Sequence, residues 1–124
     1  MTAWTVEEVG EVGDAEELDI AARRADGTLG RFVTIWVVRT GDDLFVRSVN
    51  GRSGTWFRGA LAAGEGRIRA GDIERDVAFE EADPVVYAAV TGAYHAKYDR
   101  YGPSIVGTVV SQEAERSTLM LVPR

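Results

Sequence analysis

Residues 31–61 read RFVTIWVVR, then TGDD, then LFVRSVN, then GRSGTWFRGAL. Two runs of β-branched and aromatic residues flank the turn signal Gly41-Asp42-Asp43, so a hairpin is predicted over residues 32–49. The first strand, 32–39, is apolar on both faces: Phe32, Thr34, Trp36 and Val38 share one, and Val33, Ile35 and Val37 the other. It is expected to be central and covered above and below. The second strand puts Phe45, Arg47 and Val49 on one face and Leu44, Val46 and Ser48 on the other. Arg47 is the exception there, because a guanidinium among apolar neighbours either extends to water or meets an anion. Beyond it, Asn50, Gly51 and Gly54 free the backbone to form a loop, and Ser53 or Thr55 is expected to cap a helix carrying Trp56, Phe57, Ala60 and Leu61.

The charge pattern draws attention to the same stretch. Residues 1–30 sum to −6, residues 31–69 to +4 and residues 70–124 to −4, so one basic third is embedded in an acidic protein of net charge −6. Thirteen of the fourteen basic residues are arginine, whose planar fork of donors suits phosphate or carboxylate. Arginine on an edge strand also discourages aggregation, so the pattern alone leaves both readings open. A pI near 4.8 argues against nucleic acid as the main partner.

At 124 residues the chain is long enough for one domain with one core, expected over residues 1–124. The absence of cysteine removes disulfides, thiolate nucleophiles and Cys-ligated metal. No leader or membrane span is expected, and the cytoplasm is the default compartment.

Thr5 and Glu8 have the spacing of a capping box, with Trp4 and Val9 placed for a hydrophobic staple, so a short helix is expected over about 5–12. A strand at 18–24 and the turn Asp26-Gly27 lead into the 32–39 strand as an antiparallel pair. After the loop helix, Gly64-Glu65-Gly66 closes it, and a second hairpin is expected over 67–79 around Gly71-Asp72. Asp83-Pro84 starts the longest helix, running to about Asp99. Residues 105–110 read as a strand, Ser111 as the cap of one helical turn, and 118–122 as a further strand.

Catalytic signatures are incomplete. Gly51-Arg52-Ser53-Gly54 lacks one residue of G-x-S-x-G, and His95 is the single histidine. Arg69 stands where the third glycine of a dinucleotide fingerprint would be. The carboxylates at Asp42-Asp43 and Glu80-Glu81-Asp83 read as solvated turns, and no metal site is expected. What remains is an anion site: loop N–H groups at Asn50, Gly51 and Gly54, a helix start, and the guanidinium groups of Arg47, Arg52 and Arg58. With Trp56, and Trp36 if it faces the same way, these residues describe a site for a small anionic aromatic ligand.

The order of strand, turn, strand ending RSVNGR, helix opening SGTWFRGAL, hairpin and helix resembles the small split β-barrels of the deazaflavin-dependent nitroreductases. More distantly it resembles the flavin-binding pyridoxamine-phosphate-oxidase barrels. With IWVVR, DLFVRSV and TLMLVPR, the chain is closer still to an uncharacterised bacterial domain-of-unknown-function family that shares this barrel. The resemblance implies an α+β fold, an antiparallel split β-barrel with three to four short helices. It also implies FMN or a deazaflavin as cofactor. Carried over, Arg24 and Arg31 match the basic turn and the arginine leading the second strand, Ser48 the loop serine, and Trp56 the helix tryptophan. Val49 stands where that family has lysine, and Phe57 where it has tyrosine; Arg47 or Arg52 would take the lysine's part.

The expected cofactor-binding set is therefore Arg24, Arg31, Trp36, Arg47, Ser48, Asn50, Gly51, Arg52, Ser53, Gly54, Thr55, Trp56 and Arg58, with no catalytic residue assigned. The leading expectation is a flavin- or deazaflavin-binding oxidoreductase that reduces a small acceptor, and a homodimer is a plausible assembly. The alternative is a non-catalytic module on the same barrel that binds another anionic ligand or a protein partner.

Overall fold

A computed structural model describes residues 3–124; Met1 and Thr2 of the expected 1–124 domain lie outside the described residues. The chain opens with α1 (Val6–Asp14). Its capping box is complete: Thr5 Oγ1 accepts from the Glu8 N–H, and Glu8 Oε1 accepts from the Thr5 N–H, both at 3.0 Å. Trp4 and Val9 join one apolar cluster, and the Trp4 indole N–H donates to the Leu121 carbonyl at 3.0 Å.

Among the described residues seven strands form one antiparallel sheet: β1 (Leu18–Ala22), β2 (Val33–Ile35), β3 (Val38–Thr40), β4 (Asp43–Val46), β5 (Glu65–Ala70), β6 (Ile73–Glu81) and β7 (Leu119–Pro123). Their order across the sheet is β2-β1-β5-β6-β7-β4-β3. The expected single strand at 32–39 is therefore corrected. It is two short strands at opposite edges, β2 paired with β1 (Leu18↔Ile35) and β3 paired with β4 (Val38↔Phe45). Trp36 and Val37 alone separate them. Three extended residue steps span about 10 Å, so the sheet must curl until its two edges nearly meet.

That curl requires close backbone approach on the β1–β5 side. Gly66 pairs with Ala22, and a Cβ built on Gly66 would sit 1.9 Å from the Ala21 carbonyl oxygen. The fold is thus α+β, a curled seven-stranded half-barrel of split-barrel type. Among the described residues it carries five α-helices, one of them a single turn, where three to four were expected.

Strand alternation sends side chains to two cores. Leu44, Val46 and Val37 enter the inner cluster with Leu119, Leu121 and Phe57 of α2 (Thr55–Ala63). Phe45 and Val38 face outward onto Tyr94 and Tyr98 of α3 (Tyr87–Tyr98) and Val106 and Val109 of α4 (Pro103–Val110). Cover above and below, expected for the whole 32–39 run, is realised at Val37 and Val38. Asp83 caps a short turn before α3, its Oδ1 accepting from the Val85 N–H at 2.9 Å.

The expected strand at 105–110 is instead α4. Pro103 stands in its first turn after Gly102, whose φ of +95° stops the preceding turn, and Val106 and Val109 bury one helical face. Ser111 then caps α5 (Gln112–Glu115), accepting from the Ala114 N–H at 3.1 Å. No helix among the described residues is long and apolar enough to cross a membrane.

Candidate functional site

A cavity of about 810 Å³ opens between the β1–β2 pair, the loop after β4, the start of α2, and α4. Its walls are largely apolar: Ile20 and Ile35 from the sheet, Trp36 from the link, Trp56 from α2, and Ile105 and Val109 from α4. The helix start at its edge lacks a side-chain cap. Gly54 is the N-cap, and neither Ser53 nor Thr55 caps as expected, because the Ser53 hydroxyl donates to the Asn50 carbonyl at 2.9 Å instead. A Cβ at Gly54 would lie 2.3 Å from Ser48 Oγ, so a larger residue there would force that buried hydroxyl to move. The first N–H groups of a nine-residue helix are thus left without a side-chain partner where Gly54 and Thr55 line the cavity.

The electrostatics are one-sided. Arg24, Arg31 and Arg47 line the cavity, and no aspartate or glutamate does. Eight other arginines each sit within 4 Å of a carboxylate, and none of them reaches this cavity. The Arg24 guanidinium donates to the Leu29 carbonyl alone among the described residues, at 3.1 Å, and the Arg31 guanidinium has no hydrogen-bond partner among them.

Arg47 is 2 % exposed. Its Nε donates to Thr118 Oγ1 at 2.9 Å, its Nη1 to Thr91 Oγ1 at 2.9 Å and the Val109 carbonyl at 3.1 Å, and its Nη2 to the Tyr87 carbonyl at 3.1 Å. All four acceptors are neutral, so a buried positive charge stands beside the cavity with no carboxylate within 4 Å among the described residues, and desolvation, opposed by the more distant Glu115, pushes its pKa below the usual guanidinium range.

The cavity lining holds no histidine, carboxylate, lysine or tyrosine. His95 lies elsewhere, exposed, with Nδ1 2.7 Å from Asp99 Oδ1. Among the described residues no three metal-ligating side chains cluster.

A family model described as an uncharacterized protein conserved in bacteria (DUF2255) matches residues 8–121. The chain belongs to the DUF2255 family. No curated protein is significantly similar to it in sequence. Among solved structures, this DUF2255 chain is similar to an F420 reductase at 17 % identity, covering 93 % of this chain and 90 % of that one with a TM-score of 0.59. It is similar to a protein of unknown function from Agrobacterium tumefaciens at 11 % identity, covering all of this chain but 56 % of that one, with a TM-score of 0.66. An FAD-binding protein from Mesorhizobium loti matches at 14 % identity over 98 % of this chain and 90 % of that one, with a TM-score of 0.51. Likeness at these identities concerns the fold.

In this DUF2255 fold, eight of the thirteen residues expected from sequence line the cavity: Arg24, Arg31, Trp36, Arg47, Asn50, Gly54, Thr55 and Trp56. Ser48, Gly51, Arg52, Ser53 and Arg58 lie outside it. Ser48 is buried, its N–H donating to Ser117 Oγ at 2.8 Å. Gly51 adopts φ +62° with its N–H on the Ser48 carbonyl, so it closes a turn. Arg52 pairs with Glu81, donates to the Arg116 carbonyl at 3.0 Å and lies over the Phe57 ring. Arg52→Ala is therefore expected to change stability by less than about 1 kcal/mol, as for other solvent-exposed pairs, and to leave ligand affinity within twofold in a titration.

Sequence reasoning missed the α4 wall, Ile105, Thr108 and Val109, because those β-branched residues read as a strand. The Gly102-Pro103 pair was the signal for a helix start.

Proposed function

We propose that this protein binds a phosphate-bearing flavin or deazaflavin in the cavity and acts as an oxidoreductase on a small acceptor. The observation that carries the reading is the set of three guanidinium groups, none with a carboxylate within 4 Å among the described residues, in an acid-free, apolar cavity of a protein with net charge −6. Such a lining favours a ligand with an anionic group and an apolar, planar body, and the volume lies within the usual range for small-molecule sites. The solved structures named as an F420 reductase and as an FAD-binding protein support the same ligand class.

Arg24 and Arg31, on either side of the β1–β2 turn, would hold the phosphate with the uncapped start of α2. Trp36 and Trp56 would flank the ring, and Arg47 would set a positive potential beside it. When bound, such a cofactor supplies the hydride chemistry. The chain binds, orients and excludes water, since its cavity offers no group that exchanges protons near neutral pH. In this reading the split-barrel domain works in the cytoplasm, without nucleic acid, alone or as a homodimer.

Titration with FMN and with a deazaflavin tests the proposal. Each charge-assisted hydrogen bond contributes about 1.5–3 kcal/mol, so Arg24→Ala with Arg31→Ala is expected to raise Kd at least a hundredfold with an unchanged melting temperature. Unaltered affinity in that double variant would defeat the reading. The lack of an acid–base group in the cavity also suits a non-catalytic module. Oxidation of the reduced cofactor by an added acceptor, faster with protein than without it, separates the two.

A further inference from the structure

The link that joins the two sheet edges is gripped from outside the cavity. Lys97 Nζ donates to three carbonyls: Val37 at 2.7 Å, Gly13 at 2.8 Å and Ala15 at 2.6 Å. The Tyr98 hydroxyl accepts from the Val37 N–H at 3.3 Å and directs its proton to the Glu16 carbonyl at 2.8 Å, with the Val37 carbonyl at 3.1 Å as alternative acceptor. The Tyr98 ring, fully buried, lies parallel to the Trp36 indole, with centroids 3.9 Å apart and planes within 3°. Tyr101 flanks the same indole at 5.6 Å. Trp36 lines the cavity, whereas Lys97, Tyr98 and Tyr101 do not.

We infer that Tyr98 and Lys97 are positioning residues that hold the Trp36 indole as a preset wall for the planar ring of the bound ligand. The inference rests on the cofactor reading above and adds residues to it from beyond the cavity. An indole already stacked on a buried ring, and followed directly by a residue, Val37, whose N–H and carbonyl are both held, has little rotamer freedom left to lose when a ligand docks. The arrangement therefore favours a flat aromatic ligand over a flexible anion of equal charge.

The Lys97 grip is sensitive to pH. Burial pushes this ammonium down to about 8, against the pull of Glu16 and Asp14 and with the push of Arg100. The Tyr98 ring lies 5.0 Å from Nζ. Below pH 8 three N–H donors meet three carbonyls; above it, the amine has two. The wall is thus expected to loosen, and ring affinity to fall, as pH rises through about 8.

The test uses the full chain, FMN as probe, and near-ultraviolet circular dichroism of the ligand-free protein. Trp36→Phe and Tyr98→Leu are expected to abolish the band of the stacked pair, raising the FMN Kd about tenfold and about fivefold respectively. Tyr98→Phe keeps the ring, so it is expected to keep the band and raise Kd only two- to threefold. In the parent, Kd is expected to rise with a midpoint near pH 8, and Lys97→Met to erase that step.

A folded Tyr98→Leu protein that binds FMN as tightly as the parent overturns the positioning role while leaving the cofactor reading standing. If Tyr98→Leu does not fold, unchanged Kd in both Tyr98→Phe and Lys97→Met overturns it. Failure of the parent itself to bind FMN or a deazaflavin overturns the cofactor reading and the inference with it.

Discussion

Gly66→Ala is expected to lower the melting temperature by roughly 12 °C or more, on the basis of about 3 kcal/mol of overpacking at about 4 °C per kcal/mol for a chain of this length. The added Cβ would lie 1.9 Å from the Ala21 carbonyl oxygen, 2.9 Å from its carbon and 3.0 Å from Ala22 Cα. All three are backbone atoms of the paired strand, so no side chain can rotate away. Either β1 or β5 must move, and the Ala22↔Gly66 pairing with it. Gly107→Ala, in α4 with open space around the new methyl, is the control and is expected to stabilise by about 0.5–1 kcal/mol. Thermal melts of both check the argument. A Gly66→Ala protein melting within 3 °C of the parent would mean that the strands are not in close backbone contact there.

Arg47→Met is expected to cost about 3 kcal/mol of stability and to weaken FMN binding at least tenfold. The guanidinium gathers acceptors from the first and second turns of α3, from the end of α4 and from the residue that precedes β7. A methionine of similar length fills the space but leaves the Tyr87 and Val109 carbonyls without that donor. Removing a poorly solvated charge recovers part of this loss, which keeps the figure below a simple sum over four bonds. Arg47→Lys is not expected to rescue, because three donors on one nitrogen cannot reproduce a planar fork. Denaturant unfolding with FMN titration measures both quantities. A variant as stable as the parent would show that the buried charge is dispensable.

Local signals in the sequence carried most of the elements. The capping box at Thr5 and Glu8, Asp83 before its turn, Ser111 before α5 and both glycine-centred hairpin turns are chemistry confined to a few residues, and they stand where expected. The division of residues 32–39 was not legible. Apolarity on both faces reports cover, and Val37 and Val38 have it, but it does not report that the strand passes from one edge of the sheet to the other. At 105–110 β-branched propensity pointed to a strand, while burial of Val106 and Val109 against Tyr94 and Tyr98 favoured a helix.

The site was legible in its residue types and less so in its grouping. Arg47 and Arg52 are close in sequence, yet one turns inward beneath α3 and α4 and the other meets Glu81, a partner no spacing rule identifies. Arg24 and Arg31 reach one cavity because a hairpin folds them together.

The order of strands across the sheet also bears on how the chain closes. Both halves of the 32–39 segment end up at the margins, while β7, the latest strand in sequence, fills the gap between β6 and β4. Without β7 the sheet would divide into β2-β1-β5-β6 and β4-β3, and the curvature around the cavity depends on that strand joining them. Closing the sheet relies on pairings between residues far apart in sequence, such as Leu44↔Leu121, and such pairings are expected to slow folding relative to a chain of local contacts.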